Sequence, residues 1–188
     1  GVKLAMGKRI TQRARGKGSL SYRVRKKAYI YRIKYPMQEG NARILKIIHS
    51  TAHSAPLSKT KIGNEIFYTP AFVRAFENQE IEIGGQNAND GNILALKNIP
   101  IAANIFNIEK NPGDGGKMIR VSGSSATVYK KYGNGKVGVI MPNKNEVILD
   151  EDCRATIGVI AGAGRKQKPF LKAGAMFYKM KSRNKLWP

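Results

Sequence analysis

A single cysteine, Cys153, and two histidines, His49 and His53, are all that 188 residues hold of the side chains that most often bind zinc or serve as bases. One thiol can form neither an internal disulfide nor a CxxC pair, which excludes a disulfide-stapled scaffold and a structural zinc site and makes a reducing compartment the expectation. Long apolar runs are missing as well. The longest stretch without Lys, Arg, Asp or Glu is the 12 residues from Ile47 to Ser58, with both histidines and a proline inside it, whereas a membrane span needs about 18 apolar residues. The N-terminal region has basic residues but no secretory apolar run of about 7 to 15 residues. Nucleotide-binding loops are also absent, because Gly113-Asp114-Gly115-Gly116-Lys117 fits neither the GxxxxGKS/T spacing nor a helix-opening GxGxxG.

Acidic residues are the other scarcity: 12 Asp plus Glu stand against 34 Lys plus Arg, a formal net charge of +22. The excess is not spread evenly. Residues 1–34 carry 12 cations and no acid, 35–109 carry 6 against 7, 110–162 carry 8 against 5, and 163–188 carry 8 and no acid. Two basic arms therefore flank a nearly neutral middle. The first arm includes Lys8, Arg9, Arg13, Arg15, Lys17, Arg23, Arg25, Lys26 and Lys27, with Tyr22, Tyr29 and Tyr31 among them. Cations that replace condensed counterions, interleaved with aromatics that stack on bases, suit a nucleic-acid backbone. A solvated tail and an anionic membrane surface are the rivals. Against the membrane, which amphipathic helical patterning would favour, Gly16 and Gly18 are expected to break any helix there. The second arm repeats the design around Arg165, Lys166 and Lys172.

Between the arms, short apolar alternations are separated by Gly, Pro and Asn, the pattern of half-buried strands. Strands are expected at Ala42–Ile48, Glu65–Thr69, Glu80–Ile83, Ile93–Leu96 and Asn104–Glu109. A second set is expected at Met118–Val121, Ala126–Tyr132, Lys136–Met141, Glu146–Asp150 and Thr156–Ile160, with a helical turn at Ala71–Glu77. Asn134-Gly135 marks a tight hairpin, since that pair supplies positive φ angles. The fold class is therefore all-β: the first strand set fits an oligonucleotide-binding type of barrel over residues 35–110, and the second is enough for a small closed barrel over 111–162, with the basic arms at 1–34 and 163–188. Catalysis is not expected. His49 reads as a structural residue at a strand end, His53 lies in a polar loop where it either meets phosphate or is simply exposed, and Asp150-Glu151-Asp152 reads as a solvated turn. Cys153 reads as a small buried hydrophobe. The loop Pro112–Lys117, followed by Arg120, is expected to present backbone amides and two cations to RNA phosphates.

Several segments together resemble a known family. They are Met6-Gly7-Lys8-Arg9 with Gln12-Arg13, Ala55-Pro56-Leu57, Pro112 to Lys117 with Arg120 and Ser122-Gly123, Cys153 to Gly158, Ala161 to Arg165, Lys172-Ala173-Gly174, and Trp187-Pro188. In order and spacing they resemble the L-two family of large-subunit ribosomal proteins, in its archaeal and eukaryotic form, over nearly the whole chain. The resemblance implies a basic N-terminal arm, an oligonucleotide-binding barrel, an SH3-like barrel over 111–162 and a basic C-terminal extension. It implies an rRNA-binding structural protein near the peptidyl transferase centre that supports large-subunit assembly and subunit association in translation. It implies rRNA contacts at Arg120, Lys117, Arg154 and Arg165. Where the family has a Pro-Gly-Arg turn before its Ala-Pro-Leu, this chain has Thr51-Ala52-His53, so His53 replaces a phosphate-contacting arginine with a weaker, pH-dependent contact. The family continues past its Trp-Pro pair with a histidine- and glycine-rich extension, and the sequence given ends at Pro188, which makes a shortened chain the expectation.

Expected partners are large-subunit rRNA, neighbouring ribosomal proteins and the small subunit at the interface, with no membrane and no small-molecule substrate. No cofactor is expected apart from Mg2+ associated with rRNA. The expected location is the cytoplasmic ribosome, with an organellar ribosome as an open alternative. A free RNA-binding or translation-factor module is the alternative function. An RNA-processing enzyme would need a base and a metal or nucleotide site.

Overall fold

The computed structural model describes residues 11–20, 22–24, 26–183 and 185. Ten strands follow in chain order: β1 (Gly40–Ile48), β2 (Leu57–Ile62), β3 (Glu65–Pro70), β4 (Glu80–Ile83), β5 (Ile93–Ala95), β6 (Asn104–Phe106), β7 (Ala126–Lys131), β8 (Lys136–Ile140), β9 (Glu146–Asp150) and β10 (Arg154–Ile157). The molecule is all-β apart from short helical segments, chiefly α1 (Thr11–Gly16) and α2 (Ala173–Ser182). The strands form one hydrogen-bonded sheet in the order β3-β2-β1-β4-β5-β10-β6-β7-β8-β9.

Alternation builds β1: Ala42 and Ile44 point inward, Arg43 and Leu45 outward, and a bulge between Ile44 and Lys46 shifts its register against β2. β2 was not among the expected strands. Its sequence, LSKTKI, turns the hydroxyls of Ser58 and Thr60 inward beside Leu57 and Ile62, so apolar alternation is missing although the pleat is regular. Among the described residues, neither hydroxyl has a hydrogen-bond partner.

Two apolar cores lie on opposite sides of a shared wall. Ile93 of β5 and Phe106 of β6 enter the first core, with Tyr35, Ile44, Phe67 and Phe72. Their chain neighbours Leu94 and Ile105 enter the second, with Ile99, Val128, Val139 and Cys153. Successive side chains of a strand face opposite ways, so a strand buried on both faces serves two cores at once. β10 is inserted between these two strands, pairing Ala155 with Leu94 and Ile157 with Ile105.

Several boundaries differ from expectation. Met118–Val121 is not a strand; it forms an isolated Ile108–Met118 bridge, and the Ile119 carbonyl accepts from the Asn107 N–H. The segment Ala71–Glu77 is irregular rather than helical, with positive φ at Arg74. β10 starts two residues earlier than expected and ends at Ile157. The β7–β8 hairpin forms, but the positive φ angles fall on Gly133 and Gly135, because four residues rather than two make the connection. The two glycines do not prevent a helix in the first arm: the six-residue α1 forms and ends at Gly16. α2 lay outside the expected elements and buries none of its residues.

Candidate nucleic-acid interface

The end of the first basic arm is drawn into the fold. Ile33 and Tyr35 are buried, and Ile33 bridges to Tyr68 of β3 in parallel fashion. The intervening Arg32 and Lys34 stay exposed. Tyr35 N–H donates to the Gly115 carbonyl at 3.1 Å, which fastens the arm to the loop Pro112–Lys117. The Tyr35 hydroxyl donates to the Asn107 carbonyl at 2.7 Å and shares a 2.7 Å bond with Thr156 Oγ1. Burial pushes this phenol well above its usual range.

The loop itself is organised by two carboxylates. Glu109, wholly buried, accepts from Arg154 Nη2 at 2.8 Å and Nε at 3.2 Å, and from the Arg154 N–H at 2.8 Å. The same carboxylate accepts the N–H of Gly115 at 2.9 Å and of Gly113 at 3.3 Å. Asp114 accepts the N–H groups of Lys110, Asn111 and Gly116 at 3.0 to 3.2 Å. Partial burial works to raise the Asp114 carboxyl, but the three N–H donors and nearby Lys117 outweigh it and hold the group below the usual carboxylate range. The expectation that the loop amides face phosphate is therefore corrected. The N–H groups of Gly113, Gly115 and Gly116 go to these carboxylates, Asp114 N–H goes to the Asn111 carbonyl and Lys117 N–H to Ile108. What the loop offers outward is side-chain charge. Gly116 has φ +82° and lies directly on the Asn107 carbonyl, which leaves no room for a Cβ.

Arg120 lies at the centre of the resulting surface. Its Nε donates to Asn107 Oδ1 at 2.9 Å, and its Nη2 donates to the carbonyls of Gly116 and, at 3.4 Å, Ile33. Together Ala28, Tyr31–Lys34, Ala52-His53, Gly113-Asp114, Gly116-Lys117 and Arg120 line a groove of about 640 Å3. His53 shares a 2.8 Å hydrogen bond between its Nδ1 and Ser50 Oγ. Partial burial and the Arg120 charge hold its imidazole below the ordinary range.

Of the other residues expected to contact RNA, Arg13, Arg15, Lys17, Arg23, Lys26, Lys27, Lys117, Arg165 and Lys172 are exposed. Lys8, Arg9 and Arg25 lie outside the described residues, as do Trp187 and Pro188, and the backbone of Lys166 sits in a 3-10 turn. Arg154 is turned inward, only 14% exposed at its side chain, with Nη1 donating to the Pro36 carbonyl at 2.7 Å. His49 is exposed just past β1. The two arms approach each other where Lys181 Nζ lies 5.8 Å from the Tyr22 ring centroid. Glu109 and Asn107 were missed because a lone acid and a lone amide inside an apolar run carry no motif; only their interruption of the strand pattern marks them. Among the described residues, no group of His, Cys, Asp or Glu gathers to hold a metal ion, and no helix is long and apolar enough to cross a membrane.

Residues 89–188 match the family described as Ribosomal Proteins L2, C-terminal domain. The chain belongs to the ribosomal protein L2 family. Relatives named large ribosomal subunit protein uL2 extend the likeness through the first core and the arms. That of Korarchaeum cryptofilum is 39% identical over 97% of this chain and 77% of its own length. Those of Desulfurococcus amylolyticus and Methanococcus maripaludis are each 38% identical over 97% of this chain, covering 79% and 80% of theirs. The expected resemblance is thus borne out, and with it the fold class, an oligonucleotide-binding barrel followed by an SH3-like barrel. The family is one of ribosomal structural proteins, not of enzymes.

Proposed function

We propose that the chain is a structural constituent of the large ribosomal subunit that binds rRNA near the peptidyl transferase centre and supports subunit assembly and association. The observation that carries this reading is likeness to large-subunit proteins along 97% of the chain, including basic arms that hold twenty of its 34 cations without one acid. In this reading the barrel pair over 35–110 and 111–162 is the rigid part, because β5, β10 and β6 form a wall common to both cores. Arms 1–34 and 163–188 thread between rRNA helices, where shape, phosphate and 2′-hydroxyl contacts dominate. The groove around Arg120, Lys117 and His53 takes RNA phosphate. Arg154 supports that surface from behind through Glu109 and Pro36. Neighbouring ribosomal proteins and the small subunit are the further partners, Mg2+ arrives with the rRNA, and the location is the ribosome.

The test is co-sedimentation with large subunits after a high-salt wash, with unrelated structured RNA as competitor. Retention supports an integral component, since many interlocking contacts survive where simple counterion release does not. Loss into the supernatant would make the free RNA-binding module the better account. Deleting residues 1–34 should abolish retention, and equal retention would refute the division of labour between barrels and arms.

A further inference from the structure

We propose that the groove beside Arg120 is a phosphodiester site at which His53 is a proton-linked ligand, so that an RNA phosphate enters it together with one proton. The inference rests on the RNA-binding reading and adds a chemical device to it. His53 is half-buried, and its Nδ1 is engaged by the hydroxyl of Ser50, itself buried. A hydroxyl rotates: it donates to a bare ring nitrogen and accepts from a protonated one. The Ser50 bond therefore survives both states of the imidazole and leaves Nε2 as the nitrogen available to a ligand in the groove.

The charged and titratable groups sharing the groove with His53 come from three elements. Arg32, Lys34 and the Tyr31 phenol belong to the arm, Asp114 and Lys117 to the glycine loop, and Arg120 follows that loop. Four cations against one carboxylate, already occupied by three backbone N–H groups, make the empty groove hostile to a further positive charge. A phosphate placed among them reverses the local sign, and an opposite charge within about 4–6 Å favours the protonated imidazole. Nε2–H then donates to a phosphate oxygen. The proton comes from solvent on binding and returns on release, and no covalent bond is made or broken.

The experiment follows the C2 protons of His49 and His53 by NMR in the full chain, with and without a ten-nucleotide oligouridylate. His49, exposed just past β1, reports the general field of a bound polyanion. The expected result is that oligouridylate shifts the His53 titration upward by about one unit, clearly beyond any response of His49, and that affinity strengthens about fivefold from pH 8 to pH 5.5, toward a limit of about tenfold in more acid solution. His53→Gln should flatten that pH profile, and His53→Arg should bind tightly at every pH. Equal responses of the two histidines, a profile shared by the wild type and His53→Gln, or no binding of the probe at pH 5.5 would each overturn the proposal. The probe has no rRNA sequence, so loss of the chain from salt-washed subunits would refute the ribosomal reading while leaving this titration intact.

Discussion

Replacing Glu109 removes the one carboxylate to which β10, the glycine loop and, through Arg154, the Pro36 carbonyl are all joined. Its side chain is wholly buried and that of Arg154 is 14% exposed, so their 2.8 Å contact is a buried ion pair rather than a surface one. Removing one member of such a pair costs about 3–5 kcal/mol, because the other charge is left without a partner. Glu109→Ala also strips the acceptor from the N–H of Gly115, a buried residue, adding about 1–3 kcal/mol. Gly113 is exposed, and water replaces its bond. The total for Glu109→Ala is about 4–8 kcal/mol. Glu109→Gln keeps the shape and one acceptor oxygen but turns two donors toward donors, and its cost is about 3 kcal/mol. Urea unfolding at pH 7 measures both, and amide exchange at Gly115 locates the damage. Should the alanine variant fail to fold, the glutamine variant carries the measurement. Stability of Glu109→Gln within about 1 kcal/mol of the wild type, with Gly115 as protected as before, would refute the reasoning.

Burial pushes the Cys153 thiol up to about 11, so iodoacetamide at pH 8 should leave it unmodified in the native protein and label it only on unfolding; rapid labelling of the folded chain would contradict its place in the second core. Asp114 is held below the usual carboxylate range, so its contribution is present above the unfolded value near 4 and is lost as pH falls through the lower folded value. Asp114→Asn should therefore lose about 1–2 kcal/mol at pH 7 and converge with the wild type below about pH 3, as read by thermal unfolding across pH. Gly116→Ala, which puts a Cβ against the Asn107 carbonyl at φ +82°, should cost about 2–4 kcal/mol in urea unfolding, whereas an alanine at Gly113, where nothing is close, should cost about 1. Lys117→Ala should lower the salt slope of RNA binding by about one without changing sequence preference.

Much of the fold was legible because most strands obey the pleat's simplest rule. Glu80–Ile83 and Glu146–Asp150 carry their inward residues as apolar side chains, and both were located to the residue. β2 escaped because its inward positions Ser58 and Thr60 are polar. β10 was displaced because Arg154 opens it, and an arginine at a strand's start looks like a loop until Glu109 is seen to meet it. The interface was legible as charge but not as geometry. The basic loop and Arg120 could be singled out, yet the amides expected to face RNA turn inward. The reason is that Glu109 and Asp114 reach them from four or fewer residues away in most cases, a local competition that the glycine pattern does not reveal.

Charge partition, the all-β class, the family and the cations that can meet a polyanion were determined by the sequence alone, because each depends on residue type and order and survives ignorance of contacts. Tertiary structure decided which of those cations turn outward. Lys117 and Arg154 look alike in a list of basic residues, but one is exposed and the other is locked between a buried carboxylate, a carbonyl and the Tyr35 ring. That difference depends on a partner 45 residues away, and only the closing of β10 against β5 and β6 brings the two together.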